Sequence, residues 1–286
     1  MHNQPVHFTP PPRRVPTSMA LLNVFNGFAQ IGWFVFGFGM IFFWAFAGNA
    51  DFSVITFRGD IATTSGKVTS VEETGASENE SPVKAAHYQY SVAGEWLKGT
   101  SYTTGGSPGV GEEVTVEYAS SNPLRSRIEG MRRAQFGPWA IIVSIFPLIG
   151  FLILYFAGKS GLKRTRLLRT GIFTTGKLAG KEPTNMTVND RRVYELTFAF
   201  TSRDGRRCEA TARTSDPTRL EDESQEPLLY DPEDPSRAFL LDELSGRPEI
   251  DGLGELQGRP MAAAMALIIP AIVIGAHAAY FYFKLR

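Results

Sequence analysis

Three long apolar blocks interrupt an otherwise polar chain, and they set its architecture. The first runs from about Met19 to Ala47 without a charged side chain, the second from Phe136 to Ala157, and the third from Pro260 to Phe283. A helix rises about 1.5 Å per residue and a bilayer's hydrocarbon core is about 30 Å thick, so each block is long enough to cross once and none to cross twice. The first exceeds the need, so it must tilt, kink or protrude into the interface. A cleavable signal peptide is the rival reading of that block, but its apolar run is far longer than a secretory h-region. Between the blocks the pattern changes to period two. Tyr88, Tyr90 and Val92 share one face of a strand, as do Tyr194, Leu196, Phe198 and Phe200, and Val114, Val116 and Tyr118 repeat the alternation. Val92-Ala93-Gly94-Glu95 and Ser202-Arg203-Asp204-Gly205 supply the glycines that tight hairpins require.

The predicted fold is therefore three transmembrane α-helices with two small antiparallel β modules, each a sandwich or open barrel. The expected order is a disordered Pro-rich leader over 1–18, spans over 19–48, 136–158 and 260–283, and β modules over 53–130 and 165–245. The leader's Pro5, Pro10, Pro11, Pro12 and Pro16 deny it a regular helix and point to an extended spacer. Glu73 to Ser81 and Arg213 to Glu226 read as polar, mobile loops, and Gly105 to Gly111 as a turn without the lysine or the strand-to-helix setting of a phosphate cradle.

The modules read as an internal repeat. Thr64-Ser65-Gly66-Lys67-Val68, then Tyr88 to Val92, then Val116-Glu117-Tyr118 and Asn122-Pro123 are matched in order and spacing by Thr174-Thr175-Gly176-Lys177-Leu178, Tyr194 to Phe200, and Leu229-Tyr230 with Asp231-Pro232. With its Gly109-Val110-Gly111 connection, the first set resembles the uncharacterised bacterial membrane-protein family called the domain of unknown function 3592. The second copy is divergent: Leu-Leu-Tyr replaces Val-x-Tyr, and Asp231-Pro232-Glu233-Asp234-Pro235 replaces Asn-Pro. The resemblance implies a membrane-anchored β module and brings no activity, cofactor or catalytic residue.

Composition removes several function classes. With 29 basic and 29 acidic residues in 286 the net charge is zero, so no global basic field draws the chain to nucleic acid. Cys208 stands alone, which excludes an intramolecular disulfide framework and a multi-cysteine zinc site. Metalloprotease, Walker and paired-cysteine metal motifs are absent. His2 and His7 fall in the leader and His87 at the start of a strand. The acidic run Glu221-Asp222-Glu223 with Glu226, Asp231, Glu233 and Asp234 lacks calcium-loop spacing and reads as a solvated surface. No catalytic, cofactor-binding or metal-binding residue is assigned and no cofactor is expected.

Polar groups inside the spans are the remaining candidates. His277 lies within the third block, where an ionisable side chain is either packed between helices or part of a polar path, and no span supplies an intramembrane carboxylate to pass it a proton. Asn23, Asn26 and Gln30 fall at i, i+3 and i+7, on one face of a continuous helix, among Gly27, Gly32, Gly37 and Gly39. They suit helix packing, within the chain or between copies. The reading is a non-enzymatic integral membrane protein whose β modules bind or scaffold a partner at the membrane surface. Its partners are the lipid bilayer and a protein or a second copy of the chain. An oligomeric transporter or channel subunit is the first alternative, separable by liposome flux; a membrane-associated enzyme is the second, requiring His277 and module carboxylates to converge. The expected location is a cell (inner) membrane, and basic residues near the helix ends place module 1 outside and module 2 in the cytoplasm. Lys159, Lys163, Arg164, Arg166 and Arg169 follow the second span and Arg13 and Arg14 precede the first, against Arg125, Arg127, Arg132, Arg133, Lys284 and Arg286 on the other flanks.

Overall fold

A computed structural model describes residues 8–284 apart from 58, 189, 222–223 and 245–247. Three helical stretches are long and apolar enough to cross a membrane, Phe28–Asn49, Pro138–Thr170 and Pro260–Lys284, which is consistent with a multi-pass membrane protein. The chain forms two compact units, Phe36–Leu148 and the combination of Met1–Val35 with Ile149–Arg286.

The helices are α1 (Thr17–Phe25), α2 (Phe28–Ala45), the single turn α3 (Ser53–Thr56), α4 (Ile145–Thr170), α5 (Pro260–Ala266) and α6 (Ile268–Lys284). The first apolar block is thus not one helix. Asn26 is extended and Gly27 adopts φ 61°, a left-handed value that glycine takes at no steric cost, so α1 ends and α2 begins in a new direction. This break removes the single face on which Asn23, Asn26 and Gln30 were expected to lie. Glycines then set how closely these helices approach α4. A Cβ on Gly32 would lie 3.0 Å from Ile153 and Leu154, one on Gly39 2.6 Å from the Pro147 nitrogen, and one on Gly161 only 2.2 Å from the Asn23 carbonyl oxygen.

The first sheet comprises β1 (Ile61–Glu78), β2 (Ser81–Val92), β3 (Glu95–Thr103), β4 (Glu113–Ala119) and β5 (Asn122–Ile128), the second β6 (Ile172–Val188), β7 (Arg191–Thr201), β8 (Arg207–Thr214), β9 (Glu226–Tyr230) and β10 (Ala238–Leu240). Both are antiparallel, in the orders β3-β2-β1-β4-β5 and β8-β7-β6-β9-β10. Their registers agree as well. Lys67 opposes Gln89 as Lys177 opposes Ala199, and Gly66 opposes Val114 as Gly176 opposes Glu226. Irregularities interrupt β1 between Val68 and Ser70 and between Glu73 and Ser77, and β6 between Leu178 and Gly180 and between Pro183 and Thr187. Gly66 and Gly176 also do the same work, since an added Cβ would lie 2.6 Å from Val116 in one sheet and 2.7 Å from Leu228 in the other.

Each sheet curls into an open barrel around an aromatic core. In the first, the chain after β5 reaches back to β3: Tyr102 and Arg132 exchange backbone hydrogen bonds at 2.8 and 3.0 Å, and the Ile128 N–H donates to Ser101 Oγ at 2.8 Å. Val68, Ala86, Tyr88, Tyr90, Val116 and Ile128 fill the inside. In the second, Leu196, Phe198, Phe200, Ala210, Leu228 and Tyr230 do so. Strand β9 is buried at every residue but Pro227 because its other face is covered too, Leu229 packing with Phe239, Leu241, Leu168 and Phe8.

Several expected loops are ordered. Glu73 to Ser81 is the arm and turn of the β1–β2 hairpin, and Glu78 near its tip is held by Arg132 at 2.7 Å and by the Gly137 N–H at 2.9 Å. Between Arg213 and Glu226 the described residues include a 3-10 turn at Pro217–Leu220 with Leu220 buried, and Lys181 pairs with Glu221 at 2.8 Å. Glu226 belongs to β9 and is buried, so it does not share the solvated acidic surface expected of it. Asp222 and Glu223 lie outside the described residues, as do His2 and His7.

The leader departs furthest from expectation. From Phe8 onward it is packed rather than disordered, with Phe8 and Arg13 both buried. Arg13 explains why. Its N–H donates to the Arg169 carbonyl at 2.8 Å and its Nη1 to the Leu168 carbonyl at 3.2 Å, both left without helical partners at the C-terminus of α4, and Nη1 also donates to the carbonyl of Gly171, just past the helix, at 2.7 Å. Nε donates to the Thr9 carbonyl, and the guanidinium lies 4.1 Å from the centre of the Phe8 ring. Burial lowers the Arg13 pKa to about 10. It remains a cation at neutral pH, the favourable sign for a helix C-terminus.

Candidate functional site

The polar groups singled out within the spans have separate fates. Gln30 Nε2 donates to the carbonyl of Ala266 at 2.7 Å, where α5 gives way to α6, and also to the Phe25 carbonyl near the α1–α2 break. It satisfies backbone groups that two helix interruptions expose. His277 turns Nδ1 to the Val273 carbonyl on its own helix at 2.6 Å. These four residues do not form one cluster. His277 lies on α6, Gln30 bridges to Ala266, and Asn23 and Asn26 line a cavity on the α4 side.

That cavity has a volume of about 680 Å³ and lies within the unit of Met1–Val35 and Ile149–Arg286. Its wall on α4 is formed by residues 149, 152, 153, 156, 157, 160, 161 and 164, the i, i+3, i+4 progression of a single helical face. The face changes character along its length. Ile149, Leu152, Ile153, Phe156 and Ala157 are apolar and are met by Phe28 of α2; Ser160 and Arg164 follow, met by Asn23, Asn26, Arg213 and Glu243. Arg164 lies 3.6 Å from Glu243, and Arg213 is held by Glu195 at 2.6 Å. Burial pushes the Glu243 carboxyl above its ordinary pKa, and Arg164 opposes the shift.

Asn23 is 7% exposed, and its amide orientation is fixed by its neighbour. The Thr165 hydroxyl donates to the Gly161 carbonyl at 2.9 Å, so it can only accept from Asn23, and Nδ2 donates to it at 3.2 Å. The buried Oδ1 is left without a donor.

The soluble modules present surfaces. Tyr88 and Tyr90 occupy the first barrel with their rings 5.7 Å apart, Tyr88 Oη bonded to Ser126 Oγ at 2.9 Å and Tyr90 Oη donating to the Pro123 carbonyl at 2.6 Å. Burial pushes the Tyr88 phenol upward, partly offset by hydrogen bonds from Ser126 and Ser101. Gly99 makes room for that ring, since a Cβ there would lie 2.3 Å from it. His87 sits half-exposed on β2, between Thr100 Oγ1 at 2.9 Å and Glu72 at 3.3 Å. Among the described residues no group of three or more His, Cys, Asp or Glu side chains is placed to hold a metal ion. A different residue stands out on the surface. Trp96, in the edge strand β3, is 74% exposed, and nothing in the period-two pattern distinguishes it from an ordinary strand aromatic.

No protein-family model and no curated protein matches the chain. The reading of its function therefore rests on its own geometry.

Proposed function

We propose that the chain is a non-enzymatic membrane protein of the cell (inner) membrane whose two β modules bind or scaffold a protein partner, or a second copy of the chain, at the membrane surface. The observation that carries this is the filling of both barrels by their own aromatic and aliphatic side chains. A small barrel packed in this way has no lumen for a ligand, which leaves recognition to its outer faces and edges. Trp96 is the best-placed anchor, because an exposed tryptophan offers a large rigid apolar area and a hydrogen-bond donor at small entropic cost. Affinity purification of the full chain in mild detergent, followed by mass spectrometry, is expected to recover a partner or self-contact that Trp96→Ser loses while its thermal unfolding is unchanged. Equal recovery by both proteins refutes the role of this surface.

The shared strand order, register and bulge positions support a second part of the reading, that the modules are tandem copies of one ancestral unit. We place that unit with the domain-of-unknown-function 3592 proteins, the second copy having diverged as its outer face was covered.

Module 2 is assigned to the cytoplasm and module 1 to the opposite side. The basic run from Lys159 to Arg169 supports this. So does the leader, whose Arg13 is bonded to the end of α4, which requires the two flanks to share one side of any membrane the helices cross. Cys208, half-buried on β8, is expected to resist a membrane-impermeant thiol reagent in intact cells, whereas Cys208→Ser carrying Ser77→Cys is expected to label. Labelling of Ser77→Cys only after the membrane is breached reverses the orientation, and equal labelling at both positions in sealed cells overturns the three-span arrangement.

A further inference from the structure

We infer that the cavity along α4 is a binding site for one anionic glycerophospholipid whose headgroup carries a free hydroxyl. The inference requires α4 to lie in a membrane; it does not depend on what the β modules hold. Three features select that occupant. The first is the polarity gradient of the wall. From Ile149 to Ala157 the face is apolar over roughly 12 Å, close to the half-thickness of a bilayer's hydrocarbon core, about 15 Å, and it turns polar at Ser160 as a lipid does at its glycerol.

The second is charge. Arg164 and Arg213 line the polar end, Arg164 facing Glu243 and Arg213 held by Glu195, and Lys159, Lys163, Arg166 and Arg169 add positive charge beside Arg164 on the same helix. A guanidinium presents five donors, and the 3.6 Å separation of Arg164 from Glu243 leaves capacity for a phosphate oxygen. Basic pockets at this depth suit anionic headgroups, whose phosphate accepts from arginine where a zwitterionic lipid adds a repelled ammonium.

The third is the Oδ1 of Asn23. It is a buried acceptor with no donor, held in that sense by the Thr165–Gly161 hydrogen bond, and it borders the same end of the cavity. A buried acceptor left unpaired is destabilising, and a phosphate or carboxylate cannot relieve it because neither donates. A headgroup hydroxyl can. Phosphate for Arg164 and hydroxyl for Asn23 together describe a phosphatidylglycerol-like head rather than a bare phosphate.

The test is lipid retention by the full chain, purified in detergent, delipidated and examined by native mass spectrometry against phosphatidylglycerol, phosphatidylcholine and phosphatidylmethanol, the last being anionic without a headgroup hydroxyl. One phosphatidylglycerol is expected to bind at least about tenfold more tightly than phosphatidylcholine. Arg164→Gln is expected to abolish that preference, and Asn23→Leu to abolish the smaller preference for phosphatidylglycerol over phosphatidylmethanol. Millimolar inorganic phosphate is expected not to displace the lipid. Ala157→Phe, which narrows the cavity where its apolar wall meets the polar end and removes neither polar group, is expected to block binding even if a polar-end variant fails to fold. Equal retention of the lipids by the wild type, displacement by phosphate alone, or unchanged binding by Ala157→Phe overturns the proposal. Because the readout is lipid alone, a loss of the Trp96-dependent partner with lipid retention intact counts against the scaffold reading and not against this site.

Discussion

Tyr90→Ala is expected to unfold the first β module. The ring is fully buried, lies 5.7 Å from Tyr88 and 6.5 Å from Tyr118, and its hydroxyl donates to the Pro123 carbonyl, so it ties β2 to β4 and β5 at once. Truncating a buried aromatic of this size costs about 3–5 kcal/mol, much of the stability available to a module of this size. Limited proteolysis of the full chain should show rapid cleavage between residues 61 and 128. Tyr90→Phe keeps the packing and loses one hydrogen bond, about 1 kcal/mol, and should remain resistant. Protection of Tyr90→Ala equal to that of the wild type refutes the assignment of this core.

Arg13→Met should be the most damaging change in the leader. The substitution retains an apolar stem beside Phe8 but strips the donors from the carbonyls of Leu168, Gly171 and Thr9. Leaving a buried acceptor unpaired costs about 1–3 kcal/mol, and the Leu168 and Gly171 bonds are both buried, so a loss of about 2–6 kcal/mol in the stability of the surrounding unit is expected. Protease sensitivity at residues 8–16 should rise with it. Arg13→Lys should recover only part, because an ammonium has no planar fork with which to span three carbonyls. Full rescue by lysine would show that charge alone, rather than the fork, closes the end of α4.

The sequence carries the spans and the strands because each is written in a period. Uncharged runs longer than a bilayer is thick admit one solution, and Tyr88-x-Tyr90 or Leu196-x-Phe198-x-Phe200 fixes which face turns inward. The features that escape it have no period. Pro10, Pro11 and Pro12 rule out helix in the leader but are silent on whether Phe8 and Arg13 find partners, and those partners are distant in sequence. The break at Asn26–Gly27 is invisible to a hydropathy window, since both residues sit inside an uncharged run, and with it goes the apparent amide face. The cavity along α4 is half-legible. Its apolar-to-basic gradient can be read from Ile149 to Arg164, whereas Glu243 and Arg213 come to its polar end only through the folding of the second module.

The leader's bond to α4 also has a history in time. Arg13 and the Leu168 carbonyl are 155 residues apart, and at about 5–20 residues per second a ribosome needs roughly 8–30 s to make the second after the first. Through that interval the first span and the whole first module have emerged while Phe8 and Arg13 remain without the groups that hold them. The segment from Phe8 to Arg13 is therefore made well before the groups that seat it, and any factor that engages it as it emerges has this window in which to do so.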